Sequence, residues 1–107
     1  MAPPAWLYLA IAIVSEIIAT SALKESDGLR RLVPAAVALL GYLVAFTCLA
    51  RALRTIPLGV AYAVWSGVGI ASLALIGAVV YRQALSPVQG FGIGAIMVGV
   101  IALSAAR

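Results

Sequence analysis

An acidic side chain deep in an apolar run is the first chemistry this sequence offers. Glu16 lies within Leu-Ala-Ile-Ala-Ile-Val-Ser-Glu-Ile-Ile-Ala-Thr, residues 9–20, near the middle of a span long enough to cross a bilayer. A charge at that depth costs a few kcal/mol on insertion scales, so such a group usually faces a cavity, a partner or an ion path. The bland alternative is a protonated carboxyl bonded to a neighbouring helix. Proton transport needs a group that takes up and releases protons near working pH, and Glu16 is the sole acid inside any apolar run. On a helix its face holds Leu9, Ala12, Ile13, Ala19, Thr20 and Leu23, so Thr20 is its one polar neighbour.

A second cluster lies at Ala61-Tyr62-Ala63-Val64-Trp65-Ser66-Gly67-Val68-Gly69, where Tyr62, Trp65, Ser66 and Gly69 share one helical face. Aromatic faces attract cations by about 0.5–2 kcal/mol each, depending on desolvation. Packing between helices is the competing role for such rings. An acid at membrane depth in the same small chain favours the cation site. Gly67 and Gly69 remove side chains mid-span, which permits a kink or close backbone approach and suits a conformational hinge. Tyr42 and Phe46, four residues apart, fit a cavity wall or plain packing, and residue type leaves both open. Gly90, Gly92, Gly94 and Gly99 include a GxxxG spacing, followed by an Ala95–Gly99 small-residue pair, the pattern of a close helix–helix dimerisation face in lipid.

The elements that must hold these groups follow from composition. Of 107 residues, 65% are hydrophobic and 9% charged, with a mean hydropathy of +1.20. A soluble domain of this size cannot cover that much apolar surface, which excludes a soluble enzyme. Four spans are expected, at about residues 5–23, 32–53, 58–80 and 87–105, in a single integral-membrane domain covering 1–107. Trp6 and Tyr8 suit an interfacial belt, and Lys24 suits a helix C-terminus and the lipid headgroups. The amino-terminal Met-Ala-Pro-Pro-Ala-Trp carries no basic region, so the first span is expected to stay in the mature protein. Cys48 is the single cysteine and there is no histidine, so no intramolecular disulfide, cysteine metal cluster, His-ligated zinc site or His-based triad is expected.

The net charge of +4 sits between the spans, where it reads as topology signal and headgroup contact rather than nucleic-acid binding. With an even number of spans both termini share a side. Arg51, Arg54 and Arg107 lie on that side, and Lys24, Arg30, Arg31 and Arg82 on the other. Three against four gives little bias under the positive-inside rule. A weakly fixed single orientation and a dual insertion both fit.

Together these residues resemble the small multidrug resistance family, over essentially the whole chain. The likeness rests on Glu16 with Ile17-Ile18-Ala19-Thr20, on Leu23-Lys24-Glu25-Ser26-Asp27-Gly28, and on the long block Ile56 to Gly69. It implies an all-α membrane protein of four helices per chain, working as an antiparallel dual-topology homodimer in the bacterial cytoplasmic membrane. The implied activity is proton-coupled antiport of organic cations, driven by the proton gradient without a cofactor. The family's essential acid falls on Glu16, its substrate-site aromatics on Trp65, Tyr62, Tyr42 and Tyr8, and its dimerising helix on Gly90 to Gly99. Ser66 after Trp65 resembles the quaternary-ammonium branch; the guanidinium-exporting branch usually carries Thr there. An exporter of guanidinium-type compounds or polyamines is the nearest other reading, and a non-transporting or heterodimeric membrane subunit the more distant one. The chain departs from the family pattern at Trp6, where Tyr is frequent, at Ser15, where Ala is usual, and at Arg82-Gln83-Ala84, where an acid is common.

Overall fold

The computed structural model describes residues 4–105. Arg107, one of the topology charges, and the amino-terminal Met-Ala-Pro lie outside the described residues. Four helices follow one another: α1, Ala5–Glu25; α2, Leu32–Ala52; α3, Leu58–Val79; and α4, Pro87–Ala105. Each is long and apolar enough to cross a membrane, and this is a multi-pass membrane protein. Helices are what an apolar chain must form in lipid, since each backbone N–H and C=O is then satisfied within its own segment.

Proline and short polar turns set the helix ends. Pro4 and Pro57 occupy the N-cap positions of α1 and α3, and their carbonyls accept from Leu7 and Ala61, both at 2.9 Å. Pro87 opens α4, where its missing N–H costs nothing. Before it, Ser86 and Gln89 cap each other: the Ser86 N–H donates to Gln89 Oε1 at 2.9 Å, and the Gln89 N–H donates to Ser86 Oγ at 3.1 Å. The helix α1 runs two residues past the expected Leu23, to Glu25, before the chain turns. That turn is fastened by Ser26, which is fully buried: its hydroxyl donates to the Leu23 carbonyl at 2.6 Å and accepts from the Leu29 N–H at 3.0 Å. Asp27, Gly28 and Leu29 all take positive φ, a conformation free of penalty only at the glycine.

The helix α1 packs most extensively on α2, and also on α3, which in turn packs on α4. Small residues set the spacing. A Cβ on Gly41 would lie 2.8 Å from that of Ala19, so α1 and α2 meet where only glycine fits. A Cβ on Gly67 would lie 2.3 Å from Val100 Cγ2, which does the same for α3 and α4. The core is a cluster of Leu9, Ala12, Ile13, Leu49, Ala52, Ile56 and Ala61, at the end of the molecule where α1 begins and α2 passes into α3. The whole is a slab of 40 × 36 × 18 Å. Most large apolar side chains stay exposed, as a lipid-facing surface requires.

Candidate functional site

Glu16 stands one turn beyond the apolar core, in the seam between α1 and α3. Its two carboxylate oxygens have different surroundings. Oε2 accepts a hydrogen bond from the Thr20 hydroxyl, the neighbour one turn along the same helix. Oε1 faces α3 so closely that a Cβ on Gly69 would lie 2.8 Å from it. Glycine at 69 is thus the space into which the acid fits.

Thr20 carries the contact on to α2. Its Oγ1 lies 2.7 Å from the Tyr42 hydroxyl. Since the Thr20 proton goes to Glu16, the phenol is the donor in this second bond. Beyond Tyr42 a series of rings continues. Tyr42 stacks on Phe46 at 6.2 Å, Phe46 meets Trp65 edge-on at 5.9 Å, and Trp65 meets Tyr62 at 5.2 Å. Trp65 precedes Gly69 by four residues, so it lies about 6 Å along the axis of α3 from the level of Glu16. An arc from Glu16 through Thr20, Tyr42, Phe46 and Trp65 to Tyr62 thus joins three helices. Its outer members are open, with Phe46 53% and Tyr62 56% exposed. Beside it Tyr42, Phe46 and Thr47 lie on an open face of α2 that runs to Arg51, with no second helix among the described residues to wall it.

Four of the expected site residues, Glu16, Tyr42, Tyr62 and Trp65, belong to this arc. The Trp65 Nε1 is buried with no hydrogen-bond partner among the described residues. Ser66 adjoins it, but its hydroxyl is spent on its own helix, donating to the Tyr62 carbonyl at 2.6 Å. Tyr8 is not in the arc; it packs against the core cluster near the start of α1. Gly67 and Gly69 lie within an unbroken α3, the first under Val100 and the second over Glu16. In α4, positions for a Cβ on Gly90, Gly92, Gly94 and Gly99 meet nothing within 4 Å among the described residues.

Outside the expected site residues, Phe46 and Thr20 join the arc and Tyr81 lies apart from it. Thr20 had a signal, as the one polar group on the Glu16 face. Tyr81 had none. It follows α3, and its hydroxyl donates to Glu25 Oε2 at 2.5 Å while the Lys24 ammonium sits 4.8 Å above its ring. Arg31 completes this surface cluster, donating to the Glu25 carbonyl at 2.9 Å and pairing with its carboxylate at 3.8 Å. The Tyr81 pKa is raised, first because Glu25 accepts its proton in a hydrogen bond, then by burial and by the Glu25 charge. No group of three or more metal-ligating side chains occurs among the described residues.

Comparison with known proteins agrees with this architecture. Residues 4–96 match the sequence model of the Small Multidrug Resistance protein family. Quaternary ammonium compound-resistance protein QacE of Escherichia coli is 48% identical over 99 residues, covering 92% of this chain and 90% of that protein. A putative ethidium bromide resistance protein of Escherichia coli is 49% identical over 92 residues, covering 86% and 80%. A multidrug transporter of Pseudomonas aeruginosa is 44% identical over 98 residues, covering 92% and 89%. With a family model spanning most of its length and such relatives along it, this chain belongs to the small multidrug resistance family.

Proposed function

We propose that this protein is a proton-coupled antiporter that exports lipophilic and quaternary ammonium cations across the bacterial cytoplasmic membrane, as an antiparallel dual-topology homodimer. The observation that carries this reading is the Glu16 carboxylate, held in an apolar seam with Trp65 one turn away across Gly69. A proton or an organic cation can neutralise that carboxylate, and the two compete for it. Rings supply contact area without demanding one hydrogen-bond pattern, which suits flat hydrophobic cations of varied shape. The names of the relatives, quaternary ammonium and ethidium resistance proteins, support the substrate class. Two copies inserted in opposite senses would give a shared chamber with two Glu16 carboxylates. Exchange of conformation between the subunits would then turn it from one side to the other, the role that inverted repeats play in larger transporters. The proton gradient is the energy source, and no cofactor takes part.

The test is tetraphenylphosphonium binding to purified protein between about pH 5 and pH 9, upward from the ordinary carboxylate range. Cation binding needs the ionised carboxylate, so affinity should rise with pH, and Glu16→Gln should abolish both binding and coupled transport. Glu16→Asp should retain some activity with an altered pH dependence. Trp65→Ala should weaken cation binding in a protein still inserted. Active pumping by Glu16→Gln would remove the central claim. Absence of binding at every pH would turn the assignment to guanidinium-type substrates.

A further inference from the structure

On one side of Glu16 the chain is closely packed; on the other a cleft opens. Toward the start of α1 lies the apolar core of Leu9, Ala12, Ile13, Leu49, Ala52, Ile56 and Ala61. Toward the end of α1 lies a cleft of about 150 Å³ between α1 and the last turns of α3. Its inner end is set by Thr20 and Leu73, each one turn beyond the facing pair Glu16 and Gly69. Ser21, Ile76, Gly77 and Gln83 continue it, and its mouth is at Lys24 and Tyr81. The cleft therefore begins at the residue whose hydroxyl bonds Glu16 and ends at the loop surface.

Its size and lining say what it can carry. Sites for drug-sized molecules begin at about 300 Å³, so an organic cation of that class does not fit. Water does: at about 30 Å³ each, roughly five molecules fill the volume, and five of the eight lining side chains can hydrogen-bond them. We propose that this cleft is a proton-loading route to Glu16, separate from the rings assigned to the cation, with Thr20 as its terminal relay. The inference rests on the antiport reading for its purpose and on the α1–α3 geometry for its path.

The valences of Thr20 Oγ1 allow the step. Its own proton points to Glu16 Oε2, and one lone pair accepts from the Tyr42 phenol. The second lone pair is left for a cleft water. A hydronium in the cleft gives its proton to Oγ1 as the Thr20 proton passes to Oε2. The hydronium becomes water, the carboxylate becomes a neutral acid, and Thr20 ends as it began. The titratable groups around the path are Glu16, Lys24 and Glu25 of α1, Tyr42 of α2, and Tyr81 beyond α3, with Arg31 beside Glu25. At the mouth the Lys24 charge opposes an organic cation, while the Tyr81 hydroxyl, bonded to Glu25, offers a neutral group along which protons can pass.

The experiment uses the full chain in liposomes, without any organic cation. After a pH jump, protonation of Glu16 is followed by the infrared band of its carboxylic acid, with Glu16→Gln as the blank. Ser21→Leu, which fills the cleft at a position outside the arc, should slow protonation by about a hundredfold, the low end of what a positioned proton-transfer group contributes. Its tetraphenylphosphonium affinity at about pH 9, far above the ordinary carboxylate range, should stay within about twofold of wild type. Thr20→Val should slow protonation comparably, and Thr20→Ser, which keeps the hydroxyl, should restore it. Protonation of Ser21→Leu at the wild-type rate would overturn the route, as would equal rates for Thr20→Val and Thr20→Ser. Loss of cation affinity in step with protonation in Ser21→Leu would also overturn it, by making the cleft part of the cation's own path. Should wild-type protein bind no tetraphenylphosphonium, the antiport reading falls, while the pH-jump rates still decide the cleft.

Discussion

At the scale of single residues, the site is built by what surrounds the two oxygens of Glu16. Thr20 gives one oxygen a hydrogen bond, and Gly69 gives the other room. Alanine at 69 would set a Cβ 2.8 Å from Oε1, closer than such contacts occur, so the carboxyl must swing or α3 must retreat. Oε1 is the free end of a flexible side chain, so swinging it aside costs the fold little and acts mainly on where the charge sits. With the carboxylate displaced, Gly69→Ala should lower tetraphenylphosphonium affinity at alkaline pH. Gly59→Ala, where a Cβ meets nothing within 4 Å, should leave affinity unchanged and serves as the control. Equal affinity in both variants would mean that Glu16 does not press on Gly69 when it binds. Glu16 and Thr20 could be paired from sequence, because a lone acid in an apolar run stands out and a polar group four residues on shares its face. Tyr42 could not be joined to them. It stands 22 residues beyond Thr20, and no local rule links positions on different helices.

At the scale of elements, the apolar runs and prolines located all four helices, while the contacts between them came from features with weak local signals. Gly41 carries no motif, yet it is where α1 and α2 touch; the glycines of α4 carry a recognisable motif, and a Cβ on them would meet nothing within 4 Å among the described residues. A GxxxG pattern says that a close approach is possible, and says nothing about which helix makes it. Gly41→Val should therefore destabilise the folded chain, by about 1–3 kcal/mol for overpacking, and Gly90→Val should not. Thermal unfolding in detergent with a monomeric reference separates the two; equal loss at both positions would argue against the α1–α2 contact as drawn. The loops offer a second check. Tyr81 donates to Glu25, which raises its pKa, so this contact is present below the ordinary phenol value of 10.0 and is lost as pH climbs through the raised one. Phenolate absorbance, taken as the difference between wild type and Tyr81→Phe, should show a midpoint above that of free tyrosine, and Glu25→Gln should bring it back. A midpoint that ignores Glu25 would mean the loop contact is not held in the membrane.

At the scale of the whole molecule, one chain leaves two faces open. The rings of Phe46 and Tyr62 are exposed, and a Cβ on the glycine stripe of α4 would meet nothing within 4 Å among the described residues. Both features are what a second copy would cover, and the near-even charge distribution allows that copy to enter the membrane in either sense. If function requires opposed copies, forcing every chain into one orientation should remove it. Arg54→Ser with Ala84→Lys leaves two positive residues on the side of the termini against five on the other. Thr55→Lys with Arg30→Ser and Arg82→Ser leaves four against two, the opposite bias. Each set alone should insert in a single sense, read by cysteine labelling from either side of the membrane, and should confer little resistance to quaternary ammonium compounds. Expressed together they should restore resistance, because one set supplies the copy that the other lacks. Full resistance from either set alone, with its orientation fixed, would exclude the antiparallel pair and leave a parallel assembly. The two Glu16 carboxylates would then share one orientation, and exchange of subunit conformations could no longer turn the chamber from one face of the membrane to the other.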